Sequence, residues 1–106
     1  MNTLYKKNYT FGKEVAIFRS SLDMTQQQFA DAISSSRVTI NKLEHIDDLE
    51  SLSLDIAYRL FYITQKVREN AYLPVFVIEN ATSIQQKVER VILHSTQEDN
   101  NHTLQI

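Results

Sequence analysis

The chain has 106 residues, 42% of them hydrophobic, with five Tyr, five Phe, one Gly, one Pro, no Cys and a formal net charge of −2. That length holds one core plus a short appendage. The scarcity of Gly and Pro excludes a linker-rich chain and disfavours the many tight turns of an all-β fold, while the absence of Cys excludes disulfides and thiolate metal sites.

The acidity is unevenly spread: residues 1–68 carry nine Lys/Arg against eight Asp/Glu, and residues 69–106 carry two against five. The first part can therefore approach a polyanion if its cations share one face. The longest unbroken apolar runs, Val75 to Ile78 among them, are far too short to span a bilayer, and the N-terminal lysines precede no apolar signal-peptide core. The expectation is a cytoplasmic protein with no membrane partner.

Residues 1–10 read as an N-terminal arm ending in Thr10, a suitable N-cap for a helix from Phe11 to Leu22. Phe11, Val15, Phe18 and Leu22 recur there at helical spacing and define a buried stripe. Thr25 caps a second helix and forms a capping box with Gln28, with Phe29, Ala30 and Ile33 facing inward. After the polar break Ser34-Ser35-Ser36, a third helix runs from Arg37 to Glu44. Its Ile40 and Leu43 point one way, while Arg37, Val38, Asn41 and Lys42 occupy the opposite face. Arg and Lys can donate to guanine and Asn can pair with adenine, so this face carries the residue types that read base edges.

Ser51 or Ser53 caps a fourth helix through Leu60 or beyond, and a fifth is expected over Thr64 to Tyr72. Leu73 to Ile78 is β-branched and apolar, and predicts a strand or an extended arm. Asn80 to Ser83 offers the cap of a final helix, Ile84 to His94. Its apolar stripe of Ile84, Val88, Val91 and Ile92, together with Val75, Phe76 and Val77, either contacts a second copy or a partner protein, or packs back on its own domain. The polar residues from Ser95 onward predict a disordered tail.

The stretch TQQQFADAISSSRVTINKLE, Thr25 to Glu44, resembles the helix-turn-helix of the phage-repressor-like family often called XRE or Cro-like. The preceding FGKEVAIFRSSLDMTQ is similar to that family's first helix, with a Gly after the first apolar residue and an Arg seven positions before the Gln. The resemblance covers about Phe11 to Val67 and implies an all-α fold, a compact five-helix DNA-binding domain placed over 11–72; beyond it, 73–95 reads as a C-terminal extension for dimerisation or partner binding and 96–106 as a polar tail. The resemblance implies a structural ion pair between Arg19 and Glu44, base contacts by Arg37, Val38 and Lys42, and backbone or mixed contacts by Gln26, Gln27, Ser36 and Asn41. The implied function is a homodimeric regulator, more readily a repressor, on double-stranded DNA. An antitoxin-like regulator with a protein partner, or an interaction module without DNA contact, remains as an alternative.

Three features depart from the family's pattern, the third being the segment that follows the core. Ser34 stands where Gly is usual at a turn that often requires positive φ. Asp47, Asp48 and Glu50 place acid where basic or polar residues often approach the DNA backbone. No catalytic or metal-binding constellation is legible: His45, His94 and His102 are scattered, there is no Gly-rich phosphate loop, and the acidic cluster lacks calcium-loop spacing. Neither an enzyme nor a cofactor is expected.

Overall fold

The computed structural model describes residues 9–104, with side chains through residue 95. Most of the expected N-terminal arm lies outside the described residues, as do the side chains of the polar tail. The architecture is all-helical and compact, with five α-helices and no strand among the described residues. They are α1 (Phe11–Ser21), α2 (Gln26–Ala32), α3 (Arg37–Leu43), α4 (Leu54–Arg68) and α5 (Val75–Leu104), with a single 3-10 turn at Leu49–Ser51 between α3 and α4.

Local chemistry sets the first four starts. The hydroxyls of Thr10, Thr25, Ser36 and Ser53 accept from the backbone N–H three residues on, so each helix begins with one orphan donor satisfied. Thr25 and Gln28 complete the reciprocal capping box. The apolar stripes then meet: Phe11, Val15 and Phe18 of α1, Phe29 and Ala30 of α2, and Ile40 and Leu43 of α3 are buried together. Phe18 and Phe29 pack edge to face with ring centroids 6.2 Å apart, the arrangement that the ring quadrupoles favour.

The C-terminal half differs from the sequence expectation in four ways. First, α4 is one helix through Arg68, where a break and a separate helix over Thr64 to Tyr72 were expected. The Thr64 hydroxyl bonds back to the Leu60 carbonyl at 2.8 Å instead of capping a new helix, and the side chain is fully buried. Second, within the expected strand or arm at Leu73 to Ile78, the residues from Val75 onward form the start of α5. Pro74 supplies the helical entry, its carbonyl accepting from Val77 N–H at 3.0 Å. Packing then decides over β-propensity, since Val77 is buried against the core. Third, the cap expected at Asn80 to Ser83 lies inside α5. Thr82 bonds back to Ile78 at 2.9 Å, and Ser83 donates across to Glu14 on α1 at 2.5 Å. Fourth, the helical backbone continues past His94 through Leu104, over residues expected to be a disordered tail.

The inner face of α5 is therefore part of the same core as the preceding helices. Val77, Ala81, Ile84 and Val88 join the same buried cluster as the first three helices. Burying each of the larger three stabilises by about 1.5–3 kcal/mol. Lys87 and Ser83 clamp α5 to α1 through the Glu14 carboxylate, with Lys87 Nζ 2.6 Å from Glu14 Oε1. Gln85, almost fully buried, accepts from Arg68 and donates to Gln65 Oε1 at 2.9 Å, tying α5 to α4. No helix among the described residues is long and apolar enough to cross a membrane.

Candidate nucleic-acid interface

Helices α2 and α3 form a pair joined by the turn Ile33 to Ser36. The turn depends on Ser34 at φ 57°, the left-handed conformation anticipated from the missing Gly. A β-carbon in that region costs about 1–2 kcal/mol. Arg59 of α4 compensates: its Nη1 donates to the Ile33 carbonyl at 2.7 Å and the Ser34 carbonyl at 2.9 Å, while its Nε reaches Asp55 at 3.1 Å. Sequence reading missed Arg59. The only trace available was the i, i+4 spacing of Asp55 and Arg59, which forecasts their pairing and gives no hint of the turn.

Behind α3, Arg19 and Glu44 form a two-pronged ion pair, Nε to Oε2 at 2.6 Å and Nη2 to Oε1 at 3.2 Å. The Glu44 side chain is 6% exposed and that of Arg19 18%. The remaining Arg19 Nη1 donates to the Met24 carbonyl at 2.8 Å. One guanidinium thus joins the end of α1, the turn before α2 and the end of α3. Gly12 lets α1 approach that point, its N–H donating to the Ile46 carbonyl at 3.1 Å. A β-carbon there would lie 2.6 Å from the Glu44 carbonyl.

Held this way, α3 buries Ile40 and Leu43 and exposes Arg37, Val38, Asn41 and Lys42. Val38 is 63% exposed, an apolar side chain given over to solvent on an otherwise polar face. Arg37 and Lys42 form no ion pair among the described residues. The expected base-contacting residues therefore share one exposed face.

The expected backbone-contacting residues are distributed less evenly. Ser36 is exposed and its hydroxyl is occupied as the α3 cap, 3.1 Å from Thr39 N and 3.0 Å from Thr39 Oγ1. Gln27 is exposed and donates to Asp31 on its own helix at 3.0 Å. Gln26 is half-buried, and its amide nitrogen donates to Glu44 Oε1 at 3.0 Å and Asn41 Oδ1 at 3.3 Å. Asp47, Asp48 and Glu50 are exposed after α3, with Asp48 capping the 3-10 turn.

The residues expected to meet a partner divide. Val77, Ile84 and Val88 face the chain's own core and are unavailable to another molecule, because α5 packs on α1 and α4. Val91 and Ile92 are half-buried against the same core. Val75 and Phe76 are exposed, beside the almost wholly exposed Tyr72. Comparison of the chain with family models, curated proteins and solved structures gave no match.

Proposed function

We propose that the chain is a sequence-specific, DNA-binding transcriptional regulator of the phage-repressor-like (XRE or Cro-like) kind. In this reading α2 and α3 are its helix-turn-helix, and it works in the cytoplasm as a homodimeric repressor on a pseudo-palindromic operator. The reading assigns it no catalytic step and no cofactor.

The observation that carries the reading is the combined state of α3. A seven-residue helix is too short to be stable alone, yet this one is fixed from behind by buried Ile40 and Leu43 and by the Arg19–Glu44 pair. Its free face offers Arg37, Asn41 and Lys42 as donors, and Val38 as an apolar contact for a thymine methyl group. Rigid support with long-armed polar groups facing outward suits insertion into a major groove, where misplacement of a reading head costs discrimination.

Two half-sites one helical turn apart require two recognition helices about 34 Å apart. Tyr72, Val75 and Phe76 supply exposed apolar surface for a second copy. The same trio supports an antitoxin-like second reading, in which a different protein covers it. Stoichiometric co-purification of such a protein with the native chain would favour that reading. The exposed acids after α3 repel phosphate and limit affinity, while any phosphate contacts made by Lys and Arg should make binding weaken as salt rises.

Binding of purified wild-type chain and Arg37→Ala to its selected duplex tests the proposal. Arg37→Ala should lose about 1–3 kcal/mol of specific affinity, and Gln86→Ala, on the exposed side of α5, should lose none. Equal binding by all three would remove Arg37 from the set of base-reading residues.

A further inference from the structure

The ion pair behind α3 also sets the direction of a hydrogen-bond chain that ends on the exposed face. The Glu44 carboxylate can only accept, so the Gln26 amide must turn its nitrogen toward it. The same nitrogen lies 3.3 Å from Asn41 Oδ1. Reversing Gln26 would oppose its oxygen to a carboxylate, and reversing Asn41 would set two donors against each other. A charge held in place by Arg19 therefore orients both amides and leaves Asn41 Nδ2 with no partner among the described residues.

We propose that Asn41 determines specificity as a hydrogen-bond donor, held in that sense by Gln26 as a positioning residue, and selects guanine at the base pair it meets. This rests on the DNA-binding reading above. An unconstrained Asn favours adenine because it uses both ends, accepting from N6 and donating to N7. Here the oxygen end is engaged by Gln26 and the nitrogen end faces outward. Guanine presents two acceptors, N7 and O6, to that nitrogen, whereas adenine presents one acceptor and one donor.

The test uses the full chain and a randomised duplex library, with affinities then measured on single-base variants of the selected site. The base read by Asn41 is the one whose preference disappears in Asn41→Ala, and guanine is expected there. Gln26→Met keeps the side-chain length and removes the amide. It should reduce guanine-over-adenine preference at that base by about tenfold, the scale of one hydrogen bond, and leave preferences elsewhere unchanged, a pattern that general loss of structure would not produce. In the wild type, 7-deazaguanine at that base should weaken binding, and in Asn41→Ala it should not, a comparison that does not depend on Gln26→Met folding. Adenine at the Asn41-dependent base, or an unchanged preference in folded Gln26→Met, would overturn the proposal while leaving DNA binding intact. Failure of the wild type to retain any duplex would overturn both readings.

Discussion

Replacing Gly12 by Ala tests the packing account through the sign of a stability change. Gly12 is the second residue of α1, and helix propensity alone predicts that Ala should stabilise, by about 1 kcal/mol at most. The surroundings predict the opposite. A β-carbon at Gly12 would lie 2.6 Å from Glu44 C and O and 2.7 Å from Ile46 O. These are backbone atoms and cannot rotate aside, so α1 and the end of α3 would have to separate by about 0.8 Å to reach ordinary contact. Separation stretches the Gly12 N–H to Ile46 O bond. Overpacking costs about 1–3 kcal/mol and a weakened hydrogen bond about 0.5–1.5 kcal/mol. Set against the propensity gain, the net loss is about 2 kcal/mol. Urea unfolding followed by circular dichroism reads this as a lowered midpoint at unchanged slope. A midpoint equal to or above that of the wild type would refute the close approach of α1 to α3.

Three further substitutions probe other joints. Glu44→Ala leaves the Arg19 guanidinium largely buried without its counter-ion and should cost about 3 kcal/mol in the same unfolding assay; a loss below about 0.5 kcal/mol would class the pair with solvent-screened surface bridges. Ser34→Gly removes the β-carbon from a left-handed residue and should raise stability by up to about 1 kcal/mol, whereas destabilisation would show that the serine side chain contributes something its backbone conformation does not reveal. Ile84→Ala opens a cavity where α5 meets the core and should cost about 2–5 kcal/mol, while a negligible change would mean that α5 is a detachable extension after all.

The first half of the chain was legible because its signals are local. Thr10, Thr25 and Gln28 announce helix starts by side-chain to backbone bonds that span three residues, and Phe11, Val15 and Phe18 recur on one face within a single helix. The exposed set on α3 followed from the same reasoning, since two buried aliphatics three apart fix which side faces out. Beyond Leu60 the decisive forces are long-range. Val75 to Ile78 favours a strand by residue type, yet a buried place for Val77 against the other helices outweighs that preference. In one dimension Thr64 resembles the start of a new helix, and Thr82 and Ser83 resemble caps. In the fold their hydroxyls are taken by preceding carbonyls or by a carboxylate on α1, far away in sequence. The clasp of Arg59 on the Ile33 and Ser34 carbonyls was hidden for the same reason: a backbone carbonyl leaves no trace in residue identity.

Selection from a randomised duplex library at low and near-physiological salt tests the proposed reading of DNA by α3. Retained duplexes should be enriched in one motif with two-fold symmetry, with weaker retention at the higher salt and loss of the enriched base positions in Arg37→Ala. Absence of any enriched motif at either salt would contradict the account and move attention to Tyr72, Val75 and Phe76 as a surface for protein alone.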